Sequence, residues 1–304
     1  MYFPYLRGRQ FELIALRDLL DKNLISDRIF PIVEPVKLSS SLTKTLDLYK
    51  QKNRALGVIM NPCVGDLSFR GLTDLKNPIC KAMHDIMQKS SIQKAFHLDA
   101  SIQKQVSDLE EIILVAMNKE KVDLYNQLYS DGKEPKYTLM PDESDFRRNI
   151  RNHHRICLAD NFNKQDKNAD YKNNYDELYT RDHLYYEDDG YVGFSDFSIV
   201  GNEYSESGFA PYAVAIHIVY LEKETMRIAH FVSDSNEDYS DTTGKFKEAL
   251  KKLVAWNKDH HLETYAMQEF QRLYKEEIYP GLGTIKKLSI MHHIELVDKY
   301  LNSK

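Results

Sequence analysis

Residues 190–201 read GYVGFSDFSIVG, and two more apolar runs follow them: AVAIHIVY at 213–220 and RIAHFVSD at 227–234. All three have the aliphatic and aromatic content that buried β-strands favour. Each also contains or ends on ionisable residues: Asp196, His217, His230 and Asp234. Because a buried charge costs free energy unless it is paired, we interpret these residues as members of a polar site.

Towards the N-terminus, short apolar runs alternate with helical patterns about every 30 residues, which is typical of parallel βα units. The predicted strands are residues 2–6, 29–33, 55–60, 95–98, 137–140 and 155–159. They are apolar throughout, as parallel strands covered on both faces must be. With 190–197 as the seventh strand and 213–220 as the eighth, the pattern predicts an α/β fold. Its form is a closed, TIM-barrel-like (β/α)8 barrel, a single domain over residues 1–304.

The remaining segments are assigned by their periodicity and composition. Residues 106–117 are predicted to be helical, and residues 244–304 form a C-terminal helical segment. Residues 161–190 are rich in Asp, Asn, Lys and Tyr, and we predict that they form a mobile insertion loop. Residues 213–220 and 227–232 are predicted to pair as a β-hairpin near strand 8.

Polar side chains occupy the ends of the predicted strands. The residues at or just past a strand's C-terminal end are Arg7, Glu34, Asn61, Asp99, Asp160 and Asp196. In a closed barrel these positions converge on one mouth, where active sites lie. In an open doubly wound sheet they would line one edge instead. The chain has no Gly-x-Gly-x-x-Gly or Walker A sequence, so a nucleotide-binding open sheet has no positive support.

Composition restricts the class of protein. The net charge is −5 and the pI about 6.1, which argues against wholesale phosphate binding but allows a local basic patch. The scattered cysteines Cys63, Cys80 and Cys157 indicate reduced thiols, which we interpret as buried apolar residues of a cytoplasmic protein. The N-terminus lacks signal-peptide features. No apolar run approaches the roughly 20 residues of a membrane helix, so no membrane association is expected.

Five stretches together resemble one family. They are YFPYLRGRQFEL at 2–13, IFPIVEP at 29–35, GFSDF at 193–197, AIHIVY at 215–220 and HHIELV at 292–297. The chain resembles the bacterial and phage "beta family" of proteins nearly from end to end. The resemblance implies a TIM-barrel-like fold and a setting in phage defence or mobile elements. A companion effector protein is the partner expected if the chain is a sensor or adaptor without catalysis. It brings no established catalytic residues.

The site is therefore predicted from this chain alone. The predicted catalytic residues are Glu34, Asp99, Asp160, Asp196 and His217. The predicted ligand-binding residues are Arg7, Arg9, Asn61, His230 and Asp234. The carboxylates suit Mg²⁺ or Mn²⁺, which prefer oxygen ligands, and the arginines suit a phosphate-bearing ligand such as a nucleotide or nucleic acid. We therefore predict that the barrel mouth hydrolyses or binds such a ligand. An antiviral role is what the resemblance to the beta family implies.

Other interpretations remain open at this point. Each carboxylate is also consistent with a helix N-cap or a partner of Arg7 or Arg9. Two of the carboxylates are consistent with glycoside hydrolysis. His217 and His230 lie on neighbouring predicted strands and, with Asp234, form a candidate metal or acid–base group. The fold is equally consistent with a sensor or adaptor without catalysis, which would be expected to show an exposed apolar patch.

Overall fold

The computed structural model describes residues 1–67, 72, 74–88, 91–205 and 211–304. The chain forms two compact units. The barrel unit consists of Met1–Leu13, Asp27–Asp160 and Asp182–Phe197. The hairpin unit consists of Ile14–Ser26, Asn161–Arg181 and Ser198–Lys304. Each unit is described separately, and the single-domain prediction for residues 1–304 stays a prediction.

The barrel unit contains a closed parallel sheet, and the predicted TIM-barrel-like fold is confirmed. Among the described residues its eight strands, in sheet order, are β1 (Tyr5–Leu6), β2 (Ile32–Val33), β3 (Leu56–Ile59), β4 (Ile92–His97), β5 (Ile113–Val115), β6 (Tyr137–Met140), β7 (Arg155–Ala159) and β9 (Gly193–Asp196). Tyr2 bridges both Ile29 and Phe194 in parallel, and the Phe3 N–H donates to the Phe194 carbonyl at 2.9 Å. These bonds join the last strand to the first.

The strand count was predicted correctly, but two assignments were wrong. Residues 113–115, predicted as part of a helix, form the fifth barrel strand. Its residues Ile113, Leu114 and Val115 are all buried, as in a parallel strand covered on both faces. The run 213–220, predicted as the eighth strand, belongs to the hairpin unit, and Gly193–Asp196 is the eighth strand instead.

Helices follow the strands of the barrel unit, and the second and third of them begin with side-chain caps. They are α1 (Gln10–Asp21, which continues into the hairpin unit), α2 (Ser40–Gln51), α3 (Pro78–Met87), α4 (Ile102–Gln105), α5 (Val122–Leu128), α6 (Ser144–Asn149) and α7 (Asp182–Tyr185). The Ser39 hydroxyl accepts from the Leu42 N–H at 3.3 Å, and Asn77 caps α3 ahead of Pro78. Both are preferred N-terminal arrangements.

Alternation along the strands divides inner from outer side chains. One buried apolar cluster draws on β1 to β7 and on the residue that follows β9: Phe3, Tyr5, Phe30, Ile32, Ile59, Ala95, Ile113, Val115, Leu139, Ile156, Leu158 and Phe197. Because side chains alternate between the faces of a strand, Tyr2, Phe194 and Asp196 lie on the outer face. The Tyr2 and Phe194 rings stack there, with centroids 5.1 Å apart.

The hairpin unit contains an antiparallel sheet of three strands in the order β10 (Ala215–Glu222), β11 (Thr225–Val232) and β8 (Asp176–Thr180). The predicted hairpin is thus confirmed, with β8 as an additional strand. The helices α8 (Thr242–His260), α9 (Tyr265–Lys275) and α10 (Leu282–Ser303) confirm the predicted C-terminal helical segment. Within the described ranges, every helix is too short or too polar to cross a bilayer.

The segment 161–190 differs from the predicted insertion loop. It contains a 3-10 helix (Asn168–Asn174), the strand β8 and the helix α7. Its aromatic residues take the place of the missing aliphatic ones, because Phe162, Tyr171 and Tyr179 are all buried. Aromatic side chains bury large apolar areas, so few are needed to anchor such a segment.

Candidate active site

Glu34, Asp99, Asp160 and Asp196 follow or end the strands β2, β4, β7 and β9. Since these strands are parallel, all four residues lie at the C-terminal end of the barrel, as predicted. Their side chains, however, do not form one carboxylate cluster. Glu34 is the member around which polar groups collect.

Glu34 has no solvent exposure and accepts four hydrogen bonds. The Tyr5 hydroxyl donates to Oε2 at 2.8 Å, and the Arg7 guanidinium donates to the same oxygen. The Cys63 N–H donates to Oε1 at 2.7 Å, and Nε2 of His97 lies 3.1 Å from that oxygen. An ionised carboxylate offers about four acceptor positions, so these donors satisfy Glu34 completely.

The position of His97 is fixed by its backbone as well as by its ring. The Asn61 amide donates to the His97 carbonyl at 2.9 Å and accepts from the His97 N–H at 2.8 Å. Asn61, predicted to bind ligand, therefore positions His97 through the backbone. His97 shares the inner face of β4 with Ala95, two residues earlier, so its ring points into the barrel end where Glu34 lies.

Cys63 completes the group. Its thiol is exposed, and one ligand-type atom from each of Glu34, Cys63 and His97 lies within 4.8 Å of the other two. This contradicts the interpretation of Cys63 as a buried apolar residue, which is correct for Cys80 and Cys157. Residues 34, 63 and 97 thus combine a buried carboxylate, an imidazole and an accessible thiol.

The protonation states follow from these contacts. Burial alone would raise the pKa of Glu34, but the hydrogen bond and charge of His97, with the charge of Arg7, bring it down to about 2. Burial alone would lower the pKa of His97, but hydrogen bonds to Cys63 and Glu34 and the charge of Glu34 raise it to about 9. At neutral pH, Glu34 is therefore a carboxylate and His97 an imidazolium. Burial and Glu34 raise the pKa of Tyr5 well above its usual range, so Tyr5 is a neutral donor.

Several predicted site residues have other roles. Asp99 accepts from the Ser101 N–H at 2.9 Å and pairs with Lys121 at 3.1 Å, so it forms a turn ahead of α4, whose N-cap residue is Ser101. Asp160 is exposed after β7. The Arg9 N–H donates to Glu12 at 3.2 Å, near the start of α1.

Asp196 lies on the outer face of the barrel, so the prediction that its side chain lines the mouth is wrong. It is 1% exposed, and one oxygen accepts from the Tyr2 hydroxyl at 2.7 Å. The neighbouring Phe197 is the residue of this strand end that faces inward. Its ring centroid lies 5.2 Å from the Arg7 guanidinium.

In the hairpin unit, His217 and His230 face each other across β10 and β11, as predicted. Their Nδ1 atoms are 2.7 Å apart. The third member is Glu177 of β8, whose Oε1 lies 3.3 Å from Nε2 of His230. Asp234, predicted as the third member, instead pairs with Lys252 at 2.6 Å. Asp234 follows the end of β11, four residues past His230, or about 13 Å along an extended chain.

The sequence reasoning missed four residues of these groups: Tyr5, Cys63, His97 and Glu177. Side-chain alternation was a usable signal for two of them. Tyr5 and His97 lie on the inner face near the C-terminal ends of their strands, two residues from Phe3 and Ala95. Cys63 depends on the fold of the loop after β3. Glu177 depends on the pairing of β8 with β11, for which the sequence gives no signal.

No protein-family model, curated protein or solved structure matches the chain. Any function proposed for this chain therefore rests on the geometry around Glu34 and around His217.

Proposed function

We propose that the barrel unit is a hydrolase that acts on a phosphate-bearing ligand at its C-terminal mouth. In this proposal Cys63 is the nucleophile, His97 the acid and base, and Glu34 the residue that orients His97. One observation carries it: an exposed thiol, an imidazole and a fully buried carboxylate lie within 4.8 Å of one another at the end of a barrel where active sites lie. A nucleophile, a base and an orienting group define this type of site.

The reaction would proceed in two steps. The Cys63 thiol gives its proton to solvent, and the resulting thiolate attacks phosphorus; an S–P bond forms, and the P–O bond to the leaving group breaks. The His97 imidazolium gives its proton to the departing oxygen and becomes neutral. In the second step neutral His97 takes a proton from water, whose oxygen attacks phosphorus and releases the thiolate. The products are an alcohol and a phosphate, and the enzyme returns to its starting state.

The cationic groups around Glu34 support an anionic substrate. The Arg7 guanidinium bonds to Glu34 and lies 5.3 Å from the Tyr5 ring centroid, and His97 is an imidazolium at neutral pH. Arginine is the side chain best suited to phosphate oxygens, because its planar fork of donors matches their geometry. The resemblance to the beta family adds the expected setting, phage defence or mobile elements, in which nucleotides and nucleic acids are phosphate-bearing ligands.

A second candidate function is metal-dependent hydrolysis, because Glu34, Cys63 and His97 offer three ligand atoms in one place. Thiolate, imidazole and carboxylate together suit Zn²⁺ better than the predicted Mg²⁺ or Mn²⁺, which prefer oxygen ligands. A metal would have to displace the His97 donor from Glu34, whose acceptor positions are all occupied. The thiol mechanism requires no such displacement and is the function that the geometry supports best.

The test measures hydrolysis of p-nitrophenyl phosphate, bis(p-nitrophenyl) phosphate and p-nitrophenyl acetate by the wild type, Cys63→Ser and Cys157→Ser. We expect the wild type to turn over a phosphate ester and Cys63→Ser to lose at least 100-fold of that rate, since nucleophile removal abolishes covalent catalysis. Cys157→Ser, in which a buried thiol is changed, is the matched control.

Inhibitors separate the two candidates. Iodoacetamide is expected to inactivate the wild type, while 1,10-phenanthroline leaves the rate unchanged. Inactivation by the chelator, reversed by Zn²⁺, would replace the thiol mechanism by the metal-dependent one. Turnover of the acetate alone would contradict the phosphate-bearing substrate. No turnover of any of these esters, together with no alkylation of Cys63, would contradict the hydrolase proposal and favour the adaptor.

A further inference from the structure

The hairpin unit contains a cavity of about 270 Å³ that the barrel-mouth function does not use. His217 lines it, beside Ala215 of the same strand and opposite Ile285, Lys286 and Ser289 of α10. The volume is near the lower end of the range of about 300–1,000 Å³ for small-molecule sites. Its occupant would be of mononucleotide size or smaller, which excludes a dinucleotide or a polymer.

Two side chains, His230 and Glu177, set the hydrogen-bonding state of His217. Glu177 is an acceptor, so the Nε2–H of His230 donates to it, and Nδ1 of His230 then carries a lone pair. That lone pair accepts from the Nδ1–H of His217 at 2.7 Å. The order of donors leaves a lone pair on Nε2 of His217, which is the atom that this ring offers to an occupant of the cavity.

The electrostatics agree with this neutral imidazole pair. Burial, followed by His230 and Lys286, lowers the pKa of His217 well below its usual range. Burial also lowers the pKa of His230, against the opposing effect of Glu177. The Tyr171 and Phe162 rings contact His217, with centroids 4.6 and 5.1 Å from its own, and hold the imidazole in place.

The cavity wall also carries groups that suit a negatively charged ligand. Lys164 and Lys286 line it, and so does Leu282, the first residue of the 22-residue helix α10. This helix begins without a side-chain cap, and backbone N–H groups at such an end favour anions. Lys164 pairs with Glu203 at 2.8 Å, but this pair is solvent-exposed and of a kind that contributes little to stability.

Ser289 lies in the same wall but offers no polar atom to the cavity. It is 1% exposed, and its hydroxyl is buried without a hydrogen-bond partner among the described residues. Because that oxygen is enclosed by protein atoms, the polar side chains open to an occupant include His217, Lys164 and Lys286.

We propose that this cavity is a small-molecule site that binds a phosphate ester of mononucleotide size. The ligand donates a hydroxyl or N–H hydrogen to Nε2 of His217, and its phosphate group lies near Lys286 and the N-terminal end of α10. This inference is independent of the barrel-mouth function, because every residue that carries it belongs to the hairpin unit.

The experiment is isothermal titration of the full-length protein with four probes: adenosine 5′-monophosphate, ribose 5-phosphate, inorganic phosphate and adenosine. We expect at least one of the two phosphate esters to bind, and to bind at least tenfold more tightly than adenosine or inorganic phosphate. Lys286→Met removes a charge-assisted contact, and we expect about 10- to 100-fold weaker binding. His217→Gln removes a neutral hydrogen bond, and we expect about 2- to 10-fold weaker binding.

Two controls make the result specific to this cavity. Lys251→Met removes an exposed positive charge elsewhere, and His153→Gln removes an exposed imidazole of the barrel unit; both are expected to keep wild-type affinity. Thermal unfolding confirms that each variant is folded. If His217→Gln does not fold, Lys286→Met still tests the proposal, because it changes neither histidine of the pair. The proposal is overturned if neither ester binds at millimolar concentration or if adenosine binds as tightly as its phosphate. Equal loss of affinity in a control variant would also overturn it.

Discussion

Nε2 of His97 lies 3.1 Å from Oε1 of Glu34, a contact that joins the ends of β4 and β2 at the barrel mouth. The carboxylate is fully buried and the imidazole mostly so, which makes this one of the strongest electrostatic interactions in the barrel unit. This contact fixes the orientation of the imidazole, and the orientation determines whether His97 can act as acid and base beside Cys63.

Loss of the Glu34 charge is expected to destabilise the protein strongly. Glu34→Gln leaves the Arg7 and His97 cations without their buried anion, and breaking one side of a buried pair costs about 3–5 kcal/mol. The free energy of unfolding, measured with urea, checks this. Glu143→Gln is the control, because the Lys119–Glu143 pair is exposed and no measurable change is expected. If both variants unfold at the same urea concentration, Glu34 is not the centre of the site.

Stability is expected to fall at alkaline pH because of His97. Its pKa is raised to about 9 in the folded state, above its usual 6.5. A raised pKa contributes stability that is fully present below pH 6.5 and is lost as the pH rises through 9. The melting temperature of the wild type should therefore drop more between pH 6.5 and 9.5 than that of His97→Gln. Parallel curves for the two proteins would show that His97 does not titrate in this way.

Asp196 is expected to act in stability rather than in hydrolysis. In the wild type, the Tyr2 hydroxyl donates to Asp196 at 2.7 Å. Asp196→Asn weakens this bond, and loss of a hydrogen bond to a charged group lowers the free energy of unfolding by about 1–3 kcal/mol. Because the side chain lies on the outer face, the rate of phosphate-ester hydrolysis should not change. Urea unfolding and the ester assay are measured on one preparation. If Asp196→Asn unfolds at the same urea concentration as the wild type but no longer hydrolyses the ester, Asp196 belongs to the active site.

Gly193 is expected to be required for closure of the barrel. A Cβ atom there would lie 2.7 Å from the Met1 carbonyl oxygen and 2.7 Å from the Phe3 ring. Such overlap forces shifts that cost about 1–3 kcal/mol, so Gly193→Ala should unfold at a lower urea concentration than the wild type. If Gly193→Ala and the wild type unfold at the same urea concentration, the first and last strands can move apart without loss of stability.

Much of the barrel could be predicted from the sequence because parallel strands have a distinctive composition. Residues 55–60 and 156–159 are apolar without alternation, as expected of parallel strands that are covered on both faces. Residues 106–117 were harder because apolar residues at 112–116 fit a helix and a buried strand equally well. Periodicity cannot separate the two in a short run, and here burial on both faces produced a strand.

The candidate site was only partly predictable. Glu34 and Arg7 were found because they follow strands, and His217 and His230 because neighbouring hairpin strands bring them together. Asp196 was misplaced because its position at a strand end was considered without the face that it occupies. Residues 63 and 177 could not be found, since their positions depend on a loop and on a strand pairing between distant parts of the chain.

The most direct test of the central claim is a search for a phosphoryl group on Cys63 during turnover. The enzyme is mixed with p-nitrophenyl phosphate, denatured rapidly at neutral pH, and examined by peptide mass spectrometry. The account predicts one phosphoryl group on the peptide that contains Cys63, with a burst of one p-nitrophenol per enzyme, and neither of these in Cys63→Ser. Hydrolysis by Cys63→Ser at the wild-type rate, with no modified cysteine in the wild type, would contradict it.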